Sequence, residues 1–99
     1  IVLVFNNSVL GMVRQWQTLF YKQRYSETSI ARKTDFVKLA EAFGATGYRI
    51  ALKNEIEPVM KEALSCKGPC IIDCIIDPDD GVYPIIPPGK GADEIIYGN

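Results

Sequence analysis

The run IVLVFNNSVLGMVRQW, Ile1 to Trp16, decides the fold class. Five apolar residues without alternation, Ile1 to Phe5, predict a strand buried on both faces of a parallel sheet. Two asparagines and a short loop follow, and then an amphipathic helix. In open α/β sheets, ligands bind beyond the carboxyl ends of the strands, which is where Asn6 and Asn7 fall. An Asn pair on its own is equally a turn former, and spacing alone favours the turn.

Further along, Met12, Val13, Trp16, Leu19 and Phe20 follow helical spacing, whereas Arg14, Gln15, Gln17 and Thr18 lie off that stripe, so pattern alone makes Trp16 a core anchor. Lys22 to Lys33 is polar and aperiodic and reads as a surface loop. A second helix is signalled by Thr34 as N-cap, by Phe36, Leu39, Ala40 and Phe43, and by Gly44 past its end. Tyr48, Ile50 and Leu52 alternate as in a strand. Asn54 with Glu57 suggests a capping box opening a third helix, with Ile56, Val59, Met60, Ala63 and Leu64 on its buried side. Pro58 is compatible only with the first turn, so that helix is expected to start tighter or later than Asn54. Gly68-Pro69 ends it, and Cys70 to Ile76 forms a buried strand. The order strand, helix, helix, strand, helix, strand implies crossovers and therefore an α/β fold, a parallel sheet flanked by helices. Three strands leave open edges, so the sheet is expected to be incomplete in this chain.

Ninety-nine residues with 47% hydrophobic and 23% charged side chains suffice for one core. No apolar run approaches the roughly 20 residues of a membrane span, and a soluble chain is expected. It opens inside a strand at Ile1 with no initiator Met and no signal-peptide pattern, which reads as a cut. A net charge of −1 gives no reason to expect nucleic acid or membrane partners. Five basic residues between Arg14 and Lys33 face only Glu27, and a solvated surface explains most of them. The acidic residues from Asp73 onward are assigned no chemistry. Cys66, Cys70 and Cys74 repeat every four residues, but Cys70 and Cys74 on one strand stand roughly 13 Å apart, too far for one ion or a disulfide. With no His in the chain, free thiols in a reducing cytosol are expected rather than a metal site. Tyr83 to Gly89 is proline-rich and extended. One helical turn is expected within Asp93 to Tyr97.

Asn6-Asn7, Leu10-Gly11-Met12-Val13-Arg14-Gln15-Trp16-Gln17, Leu19-Phe20-Tyr21, Arg24-Tyr25-Ser26 and Thr34 through Gly44 together resemble the catalytic (large) subunit of acetolactate synthase, a thiamine diphosphate enzyme. The double asparagine is similar to the closing half of that superfamily's cofactor motif. Its opening Gly-Asp-Gly is absent from this sequence. The resemblance implies that residues 1–80 are the C-terminal part of a thiamine diphosphate-binding domain and residues 81–99 a Pro-rich arm.

The resemblance also implies that Asn7 ligates Mg²⁺ through its side-chain carbonyl and Val9 through its backbone carbonyl, while Asn6 holds the turn. Gly11 and Met12 would lie against the cofactor and Trp16 would line the substrate channel. The Lys22–Lys33 loop would help cover the site. The implied reaction joins two 2-oxo acids with loss of carbon dioxide, in a cytoplasmic homo-oligomer of a longer parent that alone could hold FAD. Neither the family's Gly-Asp-Gly aspartate nor its activating glutamate has a counterpart, so no catalytic residue is assigned and the isolated chain is expected to be inactive. Two other readings stay open: a decarboxylase or oxidase of the same superfamily, and a non-catalytic α/β association module.

Overall fold

The structure is a computed structural model that describes residues 1–30 and 34–98. Three strands, β1 (Val2–Asn6), β2 (Thr46–Ile50) and β3 (Cys70–Ile75), and three helices, α1 (Gly11–Phe20), α2 (Phe36–Ala42) and α3 (Ile56–Ser65), occur in the predicted order. All strands are parallel in the order β1-β3-β2, with Val4 and Arg49 both opposite Asp73. The expected α/β fold with a parallel sheet is observed. The chain forms two compact units.

The first unit, Ile1–Ser8 with the described part of Ala31–Asp77, contains the sheet, α2 and α3. The most apolar strand, β3, takes the centre, where it is paired on both edges and Cys70, Ile72 and Asp73 are buried. Alternation along β3 places Cys70, Ile72 and Cys74 on one face, where Ile72 packs with Ile50 and with Ala63 of α3. On the opposite face α2 lies so close to β2 that a Cβ on Gly47 would stand 2.7 Å from the Val37 carbonyl oxygen. A side chain at this position is excluded by the close approach of the helix.

Several local expectations need correction. β1 is not buried on both faces: among the described residues it is an edge strand, and Phe5 is 69% exposed. The apolar run reported the hydrophobicity of the strand, which does not by itself supply neighbours. The N-cap of α2 is Asp35 and not Thr34, because the Asp35 carboxylate accepts from the Val37 and Lys38 amides at 3.1 and 3.3 Å. Gly44 follows the helix at φ +72° and donates to the Glu41 carbonyl, as its sequence position suggests. The second strand ends at Ile50, and Leu52 is exposed ahead of a 3₁₀ turn, Lys53–Glu55. Glu55, rather than the Asn54–Glu57 pair, closes that corner by accepting from the Ala51 and Leu52 amides at 2.8 and 2.9 Å. The tighter or later start expected from Pro58 is observed as a later one: α3 begins at Ile56, after the 3₁₀ turn, which puts Pro58 in the first turn where its missing N–H breaks no helical bond. Of the stripe foreseen on α3, Ala63 is buried, whereas Ile56 and Leu64 are exposed.

The second unit, Val9–Ile30 with the described part of Pro78–Asn99, is organised on α1. Here the amphipathic reading inverts. Met12, Val13 and Trp16 are exposed, Leu19 and Phe20 are half-buried, and the buried residue of the helix is Gln15. Its amide donates to the Val82 carbonyl and accepts from the Val82 N–H, both at 2.9 Å. Gln17 repeats the device on Ser26, at 3.0 and 3.2 Å. A primary amide carries one acceptor and donors in the geometry of a peptide group, so each glutamine acts as a one-residue strand partner for a segment with no regular structure. In the proline-rich segment, Ile85 and Ile96 exchange two backbone bonds of 2.8 Å, and Ala92–Glu94 makes a short 3₁₀ turn close to the expected helical turn. Ala31 to Lys33, the end of the predicted loop, lie outside the described residues.

Two stability measurements follow from this packing. Gly47→Ala is expected to destabilise by about 1–3 kcal/mol through overpacking against α2, read from the urea midpoint. Gln15→Leu, which preserves bulk, is expected to cost about 1–3 kcal/mol because it strands the Val82 N–H and C=O, whereas Gln15→Leu indistinguishable from wild type in thermal unfolding would show that these groups are otherwise satisfied.

Candidate cofactor-binding region

Asn6 closes β1, opposite Ile75 of β3, and Asn7 is the first residue beyond the strand. The Asn6 side chain is used at both ends. Its Nδ2 donates to Asp73 Oδ1 at 2.9 Å, and its Oδ1 accepts from the Ser8 N–H and Oγ at 3.2 and 3.3 Å. Ser8 takes a left-handed φ of +57°, so the chain bends at the carboxyl end of the strand. Asp73, only 1% exposed, also accepts from Arg49 Nε at 3.1 Å, and Arg49 Nη2 reaches Asp35 Oδ1 at 2.9 Å.

These four side chains link all three strands and the start of α2. Burial of the Asp73 carboxylate in the central strand is tolerable because both oxygens are bonded and one partner is cationic. The same partners raise the Arg49 pKa, the hydrogen bond to Asp73 foremost. Asp35 is held below the ordinary carboxylate value, first by the Lys38 amide and, with partial desolvation opposing, by the Arg49 charge and the Val37 amide.

In the second unit, Val9 forms an isolated antiparallel bridge with Ser29, and the Leu10 N–H donates to the Thr28 carbonyl at 2.8 Å. Gly11 then opens α1. That end of the helix receives no side-chain cap and has no acidic residue in its first turn. Asp79 and Asp80 line a cavity together with Gly11 at this end of the helix. Met12, Val13, Trp16, Gln17, Tyr21 and Arg24 line an open, mainly apolar cavity of about 680 Å³. Trp16 is 39% exposed on this cavity and edge-on to Phe20, with ring centroids 6.0 Å apart. It is therefore not the core anchor that helical spacing alone suggests. Arg14 stacks on Tyr25, 4.0 Å from the ring centre, and pairs with Asp79 at 2.7 Å.

Asn7 thus belongs to the first unit, and Val9, Gly11, Met12 and Trp16 to the second, where Met12 and Trp16 share a cavity. As a donor set, the Asn7 amide oxygen and Val9 carbonyl are the hard, neutral oxygens that Mg²⁺ accepts alongside phosphate and water. Among the described residues, no three His, Cys, Asp or Glu side chains cluster as a metal site. Cys70 is buried, and Cys66 and Cys74 are half-buried free thiols.

Residues 1–74 match the family described as thiamine pyrophosphate enzyme, C-terminal TPP binding domain. The chain belongs to that family. It is 40% identical over 95 residues to the acetolactate synthase isozyme 2 large subunit of Escherichia coli K12, an alignment covering 96% of this chain and 17% of that protein. Identity is 43% over 95 residues with the mitochondrial acetolactate synthase catalytic subunit of Saccharomyces cerevisiae, covering 96% and 14%, and 44% over 99 residues with acetolactate synthase of Mycobacterium leprae, covering 95% and 16%. The chain of this TPP-binding domain therefore spans about one sixth of the length of these relatives. The resemblance read from the asparagine turn and the Gly11–Gln17 segment is confirmed. Among the described residues, no helix is long and apolar enough to cross a membrane.

Sequence reasoning missed Asp73, which had been left without a role, and the paired amides of Gln15 and Gln17. A signal for Asp73 was present: one acid interrupts the apolar run Cys70 to Ile76, and a buried acid requires partners. Because Asp35 has a lower pKa folded than unfolded, its stabilising contribution is complete above the unfolded value near pH 4 and is lost as pH falls through the folded value. Asp35→Asn, which can still cap α2, is expected to flatten the acid limb of a plot of unfolding midpoint against pH below about 4, with little change of slope near neutrality.

Proposed function

We propose that this chain supplies part of the thiamine diphosphate and Mg²⁺ site of an acetolactate synthase, in which two 2-oxo acids, pyruvate with pyruvate or 2-oxobutyrate, are joined with decarboxylation in branched-chain amino-acid biosynthesis. The observation that carries this reading is the Asn6–Asn7–Ser8 turn, held at the carboxyl end of a parallel strand by a buried carboxylate, in a chain of the TPP-binding family. Similarity to acetolactate synthase subunits over nearly the whole chain favours that reaction over other reactions of the cofactor.

In this reading Asn7 holds Mg²⁺ through its side-chain oxygen and Val9 through its backbone carbonyl. The first-turn amides of α1 at Gly11 and Met12 bind diphosphate oxygens, with glycine allowing close approach and the Met12 thioether packing on the cofactor. Trp16 lines the substrate channel, where its exposed ring offers a flat apolar wall that selects among 2-oxo acids. Thiamine diphosphate, when bound, supplies the electron sink for decarboxylation. The chain's own contribution is to anchor the metal and diphosphate and to keep water from the reacting centre.

Residues 1–80 act as the C-terminal part of the cofactor domain and residues 81–99 as an arm. The remaining ligands, the activating acid and any FAD come from the rest of a longer cytoplasmic polypeptide that works as a homo-oligomer. The complete protein is expected to form acetolactate from pyruvate only with both thiamine diphosphate and Mg²⁺, and Asn7→Ala to lower that activity by more than about tenfold. Free aldehyde without carbon–carbon bond formation would point instead to a decarboxylase. Acetolactate formed by the 99-residue chain alone would refute its dependence on residues outside it.

A further inference from the structure

We propose that Asp73 is a positioning residue for Mg²⁺ uptake, acting through Asn6 on the turn that presents Asn7, a role that rests on the thiamine diphosphate reading above. Asp73 stands on the central strand with Cys70 and Ile72, also buried, preceding it, and the backbone pairing of the three strands does not by itself call for an acid there. An apolar residue of similar size would pack the strand without the desolvation cost of a carboxylate. What the carboxylate provides is direction. Its Oδ2 is fixed by Arg49 at 3.1 Å, and Oδ1 is thereby aimed at Asn6 Nδ2, 2.9 Å away.

Fixing Nδ2 fixes the amide plane of Asn6, and with it the Oδ1 that accepts from the Ser8 N–H and hydroxyl. Asn7 lies between the two residues so joined. Its backbone is therefore set by a relay running Arg49, Asp73, Asn6, Ser8. Ser8 is kept at φ +57°, a conformation that a serine rarely adopts without such support. A metal ligand held by an outer hydrogen-bonded partner loses typically about 10- to 100-fold in metal affinity when that partner is removed.

The test uses the complete protein stripped of metal and cofactor. Calorimetric titration with thiamine diphosphate at a series of Mg²⁺ concentrations gives the half-saturating Mg²⁺, and thermal unfolding of the apoprotein gives stability independently. Asn6→Ala, which leaves Asp73 on Arg49, and Asp73→Ala, which leaves Arg49 on Asp35, are each expected to raise the half-saturating Mg²⁺ by roughly 10- to 100-fold. Asn6→Ala with Asp73→Ala is expected to be no worse than the more severe single variant, since both cut one relay. Glu55→Gln, which weakens the corner before α3, is expected to lower the melting temperature and leave the half-saturating Mg²⁺ within about threefold.

Unchanged metal dependence in folded Asn6→Ala overturns the role, as do additive effects in the double variant or an equal shift in Glu55→Gln. Should Asp73→Ala fail to fold, Asn6→Ala decides alone by the same outcomes, because the ion pair under it remains. A wild-type protein that takes up no thiamine diphosphate with Mg²⁺ overturns the functional reading and the positioning role with it, whereas wild-type uptake with insensitive variants removes only the latter.

Discussion

The first unit depends on one buried carboxylate. Asp73 sits on the central strand with a neighbour on either side, and its two oxygens are divided between them: one receives Asn6 at the end of β1, the other Arg49 of β2. Parallel pairing sets the register that makes this possible, since Val4 and Arg49 both lie opposite Asp73 and Asn6 stands two residues further along the same face. Arg49 then reaches Asp35, whose carboxylate also caps α2. The side-chain links across the strands, the Asp35 cap of α2 and the geometry of the asparagine turn thus share a single buried charge, and disturbance of any one partner leaves the others with an imperfectly compensated buried ion.

The second unit solves a different problem by a related means. Its segments from Tyr21 to Ile30 and from Pro78 to Gly98 carry only isolated bridges, at Ser29 and between Ile85 and Ile96, and neither Ser26 nor Val82 lies in one. Gln15 and Gln17 project peptide-like amides from α1 and satisfy both groups of Val82 and of Ser26. Because Gln15 takes the inward position, the apolar residues of the same helix, Met12, Val13 and Trp16, turn outward and with Gln17 form the wall of a cavity. An amphipathic pattern shows that a helix has two faces. It does not show which face meets the rest of its own unit.

That distinction explains what was legible in the sequence. Element order and type followed from local rules: the unalternated apolar runs, Gly44 after α2, and Pro58 restricted to a first turn. Family membership followed from the residues around Asn6 and Asn7 and from Gly11 to Gln17. Illegible were the relations between distant residues. Asp73 and Asn6 are 67 positions apart, as are Gln15 and Val82, and no local pattern announces that a carboxylate or an amide will be spent on a particular remote partner. The shift of the α2 cap from Thr34 to Asp35 has the same origin, because Asp35 is held by Arg49 as well as by its own helix.

Exposure along β1 follows from the same long-range accounting. Leu3 and Phe5, with Ile50, Met60 and Cys74, border an apolar cavity of about 500 Å³ in the first unit. An edge strand whose apolar side chains face water and whose outer backbone groups are unpaired by any described strand is a poor surface. Charge or proline, the usual means of blunting such an edge, are absent from Val2 to Asn6. The edge is therefore built for cover rather than for solvent. Under the proposed function the remainder of a longer polypeptide would supply that cover, and Asn7, one residue past this strand, would then face protein and cofactor in place of water. On that proposal the exposed apolar strand and the asparagine turn are one feature: the neighbours that would bury the strand would also exclude water from the turn.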